Sequence, residues 1–522
     1  MRFPLSVYSV RKRSQFAPTA FRVSQKNMTL NSYTQLLDRM REIGWIDGAA
    51  GLLSWDQETY MPAAAIEFRA AQLAYFKGRT HRLFTADEVG GWIKECESAA
   101  FSSLSKEAVN VREWRRAYDR ATKLSPELVE EFERSTSMAW SAWIAARKGN
   151  DFAVFKPHLA KLLDLSRQMA EAWGYAKLPY DALLDGYEPG ARTDELQKVF
   201  AELKPGIVRL IEKIGPSARS ASKSTLPGPF PIEAQKLFNQ AVAERIGFDF
   251  TSGRIDIAAH PFCTGIGPSD CRLTTRYDDN DFTDSLYSVL HECGHGLYDQ
   301  GLPKEDFGTP MGSAVSLGIH ESQSRLWENH VGRSREFWNY WLPVAQKHFP
   351  TLATNTAEDL YRHVNQVRPS LIRVEADEVT YDLHIILRFE LEQKLLHREL
   401  SVEDLPEAWN TTFKRLFGLE VPDDTRGCLQ DIHWSHGSFG YFPTYTLGNL
   451  NASQLIQNVR NENPNLNAEL AQGDYGSLLR SLRHKIHQHG HRYLPPELMK
   501  EATGESTQGR YHAAYLERKF GS

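Results

Sequence analysis

Residues 286–301 read LYSVLHECGHGLYDQG, and the pattern of this stretch decides what kind of structure surrounds it. At about 100° per residue, four apolar side chains fall on one helix face: Leu286, Leu290, Cys293 and Leu297. His291 and His295 fall together on the opposite face, with Glu292 beside them. Gly301 ends the pattern. The stretch therefore predicts a helix whose apolar back is buried and whose two imidazoles point the other way.

The spacing of these polar residues is HExxH, which is typical of zinc sites. Two neutral histidines one turn apart supply two nitrogen ligands, and a catalytic Zn²⁺ keeps three protein ligands and one open position for water. Glu292 is placed to accept a proton from that water. The match alone is only suggestive, because chance gives HExxH in roughly a few per cent of chains this long. The alternative is a pair of surface histidines without a metal.

A third ligand is required, and the patterns that would supply a third histidine are absent after His295. We therefore expect the third ligand to be an acid on a later helix. The sequence HESQ at 320–323 lies in a helical pattern over residues 316–331 that Gly332 ends. Glu321 is the predicted ligand.

HExxH followed by HESQ resembles the M32 family of zinc metallocarboxypeptidases, also called thermostable or Taq-type carboxypeptidases. Further motifs of that family occur in the same order: GLLSWDQ at 51–57, HPF at 260–262, DxRxT at 270–274 and QDxHW at 430–434. The resemblance covers about residues 28–505, and no motif position departs from the family pattern.

The resemblance implies a mainly α fold, a large helical body with a deep active-site groove like that of neurolysin and angiotensin-converting enzyme. It implies one Zn²⁺ per chain, which Co²⁺ can replace, and a homodimer. It implies a metallocarboxypeptidase that releases C-terminal amino acids from peptides with a free C-terminus, with broad specificity and proline poorly accepted. The alternative is an endo-acting zinc oligopeptidase of the same fold. A non-catalytic binding protein is disfavoured, because neither Glu292 nor a ligand is lost.

A carboxypeptidase needs a cation that holds the α-carboxylate of its substrate, and the planar fork of arginine suits this task. Arg373 lies in a segment similar to the RxxADExTY stretch of the family, which the resemblance links to carboxylate recognition. Arg272 in DxRxT is the second candidate. For either arginine, the alternative is an internal ion pair, for Arg272 with Asp270.

The loop-like stretch from His433 to Tyr445 is expected to line the groove, because it concentrates His, Tyr and Gly. The resemblance to related zinc peptidases implies that a tyrosine here stabilises the oxyanion, with Tyr445 the first choice and Tyr441 the second. His433 and His260 are candidates for binding the substrate backbone. Packing beside Trp434 and Phe262 is the alternative for these two histidines.

A second histidine cluster lies near the C-terminus: His484, His487, His489 and His491. It has no interleaved acid or Cys, and neighbouring Arg and Lys side chains would repel a cation. We expect a solvated helix end here and not a metal site.

The pattern along the rest of the chain is helical. Ser125-Pro126-Glu127 reads as an N-cap, a proline at the first helical position and an acid in the first turn, and Gly149 ends that helix. A loop-rich zone over 253–281 predicts a small β element near the metal site. No apolar stretch approaches the ~18 residues that span a bilayer, so we expect no integral membrane protein.

The composition is that of a globular protein of 522 residues with a net charge of −5, which excludes nucleic-acid binding through charge. The five cysteines form no CxxC pair and indicate a reducing compartment.

Residues 1–27 differ from the remainder because they carry six basic residues and no acid. This extension resembles a transit peptide, or else the true start is Met28. We expect it to be disordered, ahead of a single catalytic domain over 28–522. The expected location is the cytoplasm, or an organelle if the extension is a transit peptide.

Overall fold

A computed structural model describes residues 19–215 and 226–521, with side chains from Leu30 onward. Its first helix begins at Thr19 and is continuous across residue 28, the predicted start of the domain. Residues 1–18 lie outside the described part of the chain. The disordered extension and the domain boundary therefore stay predictions.

The described chain is mainly helical, as predicted. The first ten α-helices are α1 Thr19–Thr59, α2 Ile66–Phe84, α3 Asp87–Glu97, α4 Lys106–Thr122, α5 Pro126–Gly149, α6 Phe152–Trp173, α7 Pro179–Leu184, α8 Thr193–Ile214, α9 Ile232–Ile246 and α10 Phe282–Gly301. The following helices are α11 Leu317–Arg325, α12 Arg335–His348, α13 Ala357–Val364, α14 Tyr381–Leu396, α15 Leu405–Phe417, α16 Pro443–Glu462, α17 Leu466–Ala471, α18 Gly476–Lys485, α19 Pro495–Thr503 and α20 Gly509–Phe520.

Short 3₁₀ turns connect several of these helices, at Ala63–Ala65, Lys304–Asp306, Pro310–Gly312, Pro350–Leu352, Arg373–Glu375, His433–His436 and His487–His489. The predicted start of α5 is confirmed, because the Ser125 hydroxyl accepts a hydrogen bond from the Leu128 N–H at 3.2 Å and Pro126 occupies the first helical position. Asn150, in the left-handed region at φ 52°, follows Gly149 and ends the helix.

The predicted β element is a three-stranded sheet in the order β1-β3-β2. Its strands are β1 Gly253–Ile257, β2 Cys263–Gly267 and β3 Asp270–Thr275. Strand β3 runs parallel to β1 and antiparallel to β2. Leu273 and Cys271 of β3 share a core with the apolar back of α10, so the sheet supports the helix that carries HExxH.

Two large apolar cores flank one groove. One core contains the back of α10 together with side chains from α9, α12 and α16. The other is built by α6, α8, α14 and α15. A smaller core joins α1, α3 and α4. Among the described helices, none is both long and apolar enough to cross a membrane.

Candidate metal centre

Helix α10 places the HExxH side chains. Its N-terminus is capped by Asp281, whose carboxylate accepts a hydrogen bond from the Thr283 N–H at 3.0 Å. The predicted apolar face is confirmed, since its four side chains have no exposed surface: Leu286, Leu290, Cys293 and Leu297. Burial of this face fixes the rotation of the helix, and the Nε2 atoms of both histidines consequently face Glu321.

Helix α11 carries Glu321 and begins at its cap Ser316, whose hydroxyl accepts from the Ile319 N–H at 3.1 Å. The helical pattern predicted to end at Gly332 is present, but its last part, Leu326–Gly332, is a π-helix. Single π turns inside helices are frequent at functional sites, because the wider turn redirects side chains. Here the π segment contains Glu328, which faces the same groove as Glu321.

Two glycines allow α10, α11 and α16 to approach one another around Glu321. A Cβ at Gly294 would lie 2.5 Å from the Gln323 carbonyl oxygen and 2.5 Å from the Ser324 Cα. A Cβ at Gly448 would lie 2.3 Å from the Glu321 Cγ. No side chain fits at either position without displacing α11 or Glu321.

The close approach brings the predicted ligands together. Their ligand atoms all lie within 4.8 Å of one another. Oε2 of Glu321 is 3.6 Å from Nε2 of His291 and 3.5 Å from Nε2 of His295. Tetrahedral zinc with bonds of about 2.0–2.1 Å separates such atoms by about 3.3 Å. The donor set therefore fits a divalent cation bound by two imidazoles and one carboxylate.

Each histidine is oriented by a partner on its other ring nitrogen. Nδ1 of His291 is 2.9 Å from Oε2 of Glu328. Nδ1 of His295 is 3.1 Å from the backbone oxygen of His320 and 2.5 Å from Nδ1 of the His320 ring. Nε2 of His320 in turn is 3.1 Å from Oδ1 of Asp299. Partners of this kind leave both Nε2 atoms to face Glu321 and fix the ring orientation that a metal requires.

The electrostatics of the centre follow from burial and from its acids. Burial lowers the pKa of His295 well below its usual value, and the neighbouring His320 and His291 lower it further. Burial also lowers the pKa of His291, but the charges of Glu321, Glu328 and Glu292 outweigh it and raise the pKa. A cation bound to Nε2 of His291 would displace that proton.

Glu292 lines the groove next to these ligands and is 7% exposed. Burial raises the pKa of its carboxyl from 4.5 to about 7, with the His291 charge acting in the opposite direction. A carboxyl group that titrates near neutrality can both take up and return a proton.

The groove has a volume of about 900 Å³. Its polar lining includes His291, Glu292, Glu321, Arg325, Glu328, Arg333, Arg373, Tyr381 and Tyr445.

Arg373 lies in this groove and is held rigidly. Its Nε donates to Oδ1 of Asp431 at 2.9 Å and its Nη1 to the Tyr381 hydroxyl at 3.2 Å. Asp431 also accepts from the buried Arg388, whose Nε is 2.6 Å from Oδ2. Two guanidinium groups thus share one carboxylate, which leaves one positive charge to attract an anionic substrate group.

Arg272 occupies a different position. It forms a two-pronged ion pair with Asp270, with both N···O distances at 2.9 Å, and its guanidinium stacks over Trp55 at 4.3 Å. It is not among the described residues that line the groove. His260 is exposed at the groove edge, where its neighbour Pro261 is part of the lining.

The predicted oxyanion tyrosines lie together. Tyr445 lines the groove in the first turn of α16, and its hydroxyl is 3.3 Å from Nε2 of His433. Tyr441 packs against both rings, with centroid distances of 5.4 Å to Tyr445 and 5.3 Å to His433. Burial raises the pKa of Tyr445 and lowers that of His433 to about 4, so the phenol keeps its proton and the imidazole is neutral.

Several residues of the site were not predicted, among them Asp299, His320, Glu328 and Tyr381. His320 and Tyr381 lie within motifs that the sequence displays, HESQ and the RxxADExTY-like stretch. Glu328 follows Glu321 by seven residues, a spacing that suggests a shared helix face. No pattern in the sequence indicates the contact of Asp299 with His320.

The C-terminal histidine cluster is not a solvated helix end throughout, and that prediction is wrong for His487. His487 is fully buried, with Nε2 at 3.0 Å from Oε1 of Gln323, two residues after Glu321 on α11. His491 contacts the Ala314 carbonyl oxygen at 2.9 Å. Among the described residues, the groups able to share a cation include none of the four histidines.

Comparison with known proteins gives concordant results. The family model described as Carboxypeptidase Taq (M32) metallopeptidase matches residues 35–520. Thermostable carboxypeptidase 1 of Thermus thermophilus is 44% identical, with 94% of this chain and 98% of the relative covered. Thermostable carboxypeptidase 1 of Pyrococcus furiosus is 38% identical, with coverages of 93% and 98%. The crystal structure of the M32 carboxypeptidase from Deinococcus radiodurans R1 superimposes with a TM-score of 0.91 at 40% identity, over 94% of this chain and 99% of that one.

Proposed function

Since this chain belongs to the M32 family of metallocarboxypeptidases, we propose that His291, His295 and Glu321 hold the Zn²⁺ ion with which it removes C-terminal residues from peptides. The chain is a metallocarboxypeptidase, and its family implies a divalent metal. The observation that carries the proposal is the convergence of two imidazole nitrogens on Oε2 of Glu321, at 3.6 and 3.5 Å.

When bound, Zn²⁺ supplies Lewis acidity, which lowers the pKa of water and polarises a carbonyl group. Co²⁺ is expected to replace it. Glu292 is the general base: its carboxylate, whose pKa lies at about 7, accepts the proton of the attacking water and returns it to the leaving amine. Glu328 holds His291 in place and His320 holds His295, in each case through the Nδ1 atom of the histidine ligand.

Arg373 accounts for cleavage at the C-terminal end of the substrate. Nε and Nη1 of Arg373 are occupied by Asp431 and Tyr381, which fixes the guanidinium and leaves Nη2 for the substrate. A charge-assisted bond to the free α-carboxylate then sets the distance between the chain end and the scissile bond. Arg272 is less suited to this role, because Asp270 and Trp55 already satisfy it outside the groove.

Tyr445 donates to the oxyanion that forms as the carbonyl is attacked. Its partly buried phenol keeps its proton, and His433 and Tyr441 contact the ring. A donor that is already oriented costs no rearrangement when charge develops. We expect His433 and the exposed His260 to contact the substrate backbone.

The family resemblance also suggests a homodimer, broad side-chain specificity and poor release of proline. Light scattering of the purified chain tests the first expectation. A series of peptides that differ only in the last residue tests the other two.

The experiment that tests the proposed function compares one peptide in two forms, with a free and with an amidated C-terminus. We expect a ladder of products shortened from the C-terminus for the free acid only, abolished by a chelator and restored by Zn²⁺. Internal fragments from both forms at equal rates would contradict the proposal and favour the endo-acting alternative. Products that persist in chelator would contradict the metal.

A further inference from the structure

A second group of possible ligands lies beside the sheet, outside the metal centre: Cys263 on β2, Cys271 on β3 and Asp299 on α10. The two sulfur atoms are 3.6 Å apart, and Sγ of Cys263 is 3.9 Å from Oδ2 of Asp299. All three ligand atoms lie within 4.8 Å of one another. Neither cysteine takes part in the proposed reaction, and Asp299 contributes to the metal centre only through the contact of its Oδ1 with His320.

These separations match the edges of a zinc tetrahedron. Zn–S bonds of about 2.3 Å separate two thiolates by about 3.8 Å, and a carboxylate at about 2.0 Å lies about 3.5 Å from each sulfur. The measured 3.6 and 3.9 Å differ from these values by no more than about 0.4 Å. The strands fix the arrangement, because Cys271 pairs with Gly265 and Cys263 with Leu273 in the antiparallel ladder.

We propose that Cys263, Cys271 and Asp299 form a second cation site, one that binds a thiophilic divalent ion such as Zn²⁺ with water in the fourth position. Thiolates select zinc over hard cations such as Mg²⁺. Cys263 and Asp299 are partly exposed while Cys271 is buried, so an ion reaches the site from the side of Cys263.

Binding exchanges two protons for one cation. Without a metal, the neighbouring Cys271 thiol and burial raise the pKa of Cys263 well above its usual value, so the Cys263 thiol is protonated at neutral pH. The incoming cation forms two metal–thiolate bonds and releases the two protons to solvent. The apparent affinity therefore rises with pH.

The second site touches the first through one carboxylate. Oδ1 of Asp299 is bonded to Nε2 of His320, and Nδ1 of His320 contacts Nδ1 of His295. A cation on Oδ2 withdraws electron density from the Asp299 carboxylate, which orients His320 and, through it, His295. Occupancy of the second site consequently weakens the support of His295 and lowers turnover.

Cobalt spectroscopy tests the proposal with the metal-free, phosphine-reduced chain. The proposed catalytic ligands contain no sulfur, so thiolate-to-cobalt charge-transfer absorption in the near ultraviolet reports the cysteine site alone. During a Co²⁺ titration of the wild-type chain, we expect two equivalents bound, with the absorption appearing with one of them. In Cys263→Ala/Cys271→Ala, we expect one equivalent and loss of the absorption.

Cys428→Ala is the matched control, since it removes a buried thiol that belongs to the other large core and should keep both equivalents and the absorption. The single variant Cys263→Ala, at a partly exposed position, repeats the test if the double variant does not fold. Saturation of the wild-type chain at one equivalent without charge-transfer absorption would overturn the proposal. A Cys263–Cys271 disulfide that survives the reductant would overturn it as well.

Discussion

Substitution of Gly294 by alanine should separate Glu321 from the histidines while leaving the protein folded. The new Cβ would lie 2.5 Å from backbone atoms of Gln323 and Ser324, where ordinary contact begins at 3.4 Å. Helix α11 must therefore move by about 1 Å, because backbone atoms cannot rotate away. The distances between a bound metal ion and its protein ligands tolerate deviations of only about ±0.2 Å.

The energetic consequences of Gly294→Ala differ between folding and metal binding. Overpacking costs about 1–3 kcal/mol, and the helix preference of alanine over glycine returns about 1 kcal/mol. The free energy of unfolding should thus fall by only about 0–2 kcal/mol. Loss of a residue that hydrogen-bonds to a metal ligand lowers metal affinity by roughly 10- to 100-fold. Displacement of the ligand Glu321 itself should lower the affinity by at least as much.

The assay combines urea unfolding of the metal-free chain with chelator competition for Zn²⁺. Gly91→Ala in α3 is the control: its Cβ would meet nothing within 4 Å, so stability should rise by up to about 1 kcal/mol without a change in metal affinity. Wild-type metal affinity and peptidase activity in Gly294→Ala would refute the close approach of α10 and α11 as the cause of ligand convergence.

Three further predictions concern acids. Glu292→Gln should keep its metal and lose turnover by roughly 100- to 10,000-fold, which metal analysis and single-turnover kinetics check; near-normal turnover would exclude it as the base. Glu328→Gln should weaken metal affinity by roughly 10- to 100-fold, because a neutral amide supports His291 less well; unchanged affinity in chelator competition would contradict this. Burial raises the pKa of Glu392 from 4.5 to about 7, so between these pH values the folded chain holds a proton that the unfolded chain has lost. The free energy of unfolding therefore falls as the pH rises through this range. Glu392→Gln should reduce the loss of unfolding free energy between pH 5 and pH 7.5 by up to about 3 kcal/mol, as measured by urea unfolding at both pH values. The same loss in the variant and in the wild-type chain would refute this prediction.

The helix that carries HExxH could be predicted because one physical cause, burial of an apolar face, determines both its extent and its orientation. Leu286, Leu290 and Leu297 recur at helical spacing, and burial of their face leaves His291 and His295 on the other. The choice of Glu321 depended on the HESQ motif, and its position results from contacts between helices. Gly294 and Gly448 make room for it, but a lone glycine in a helical pattern does not reveal which backbone it meets.

The supporting contacts of the site could not be predicted, because they join residues distant in sequence through geometry that no local pattern encodes. The π-helical segment brings Glu328 to His291 across 37 positions. Asp431 was visible within QDxHW, yet its pairing with both Arg373 and Arg388 depends on how α14 packs against the 3₁₀ turn at 373–375. His487 was misread for the same reason: the burial of a histidine depends on the neighbouring elements and not on its own charged surroundings.

Anomalous diffraction at the zinc absorption edge, from crystals of the zinc-loaded chain, tests the metal centre most directly. We predict a peak about 2.0–2.2 Å from Nε2 of His291, Nε2 of His295 and a carboxylate oxygen of Glu321. The carboxylate of Glu292 should lie beside this peak without binding it. A peak that involves only one imidazole, or no peak within reach of Glu321, would contradict the account.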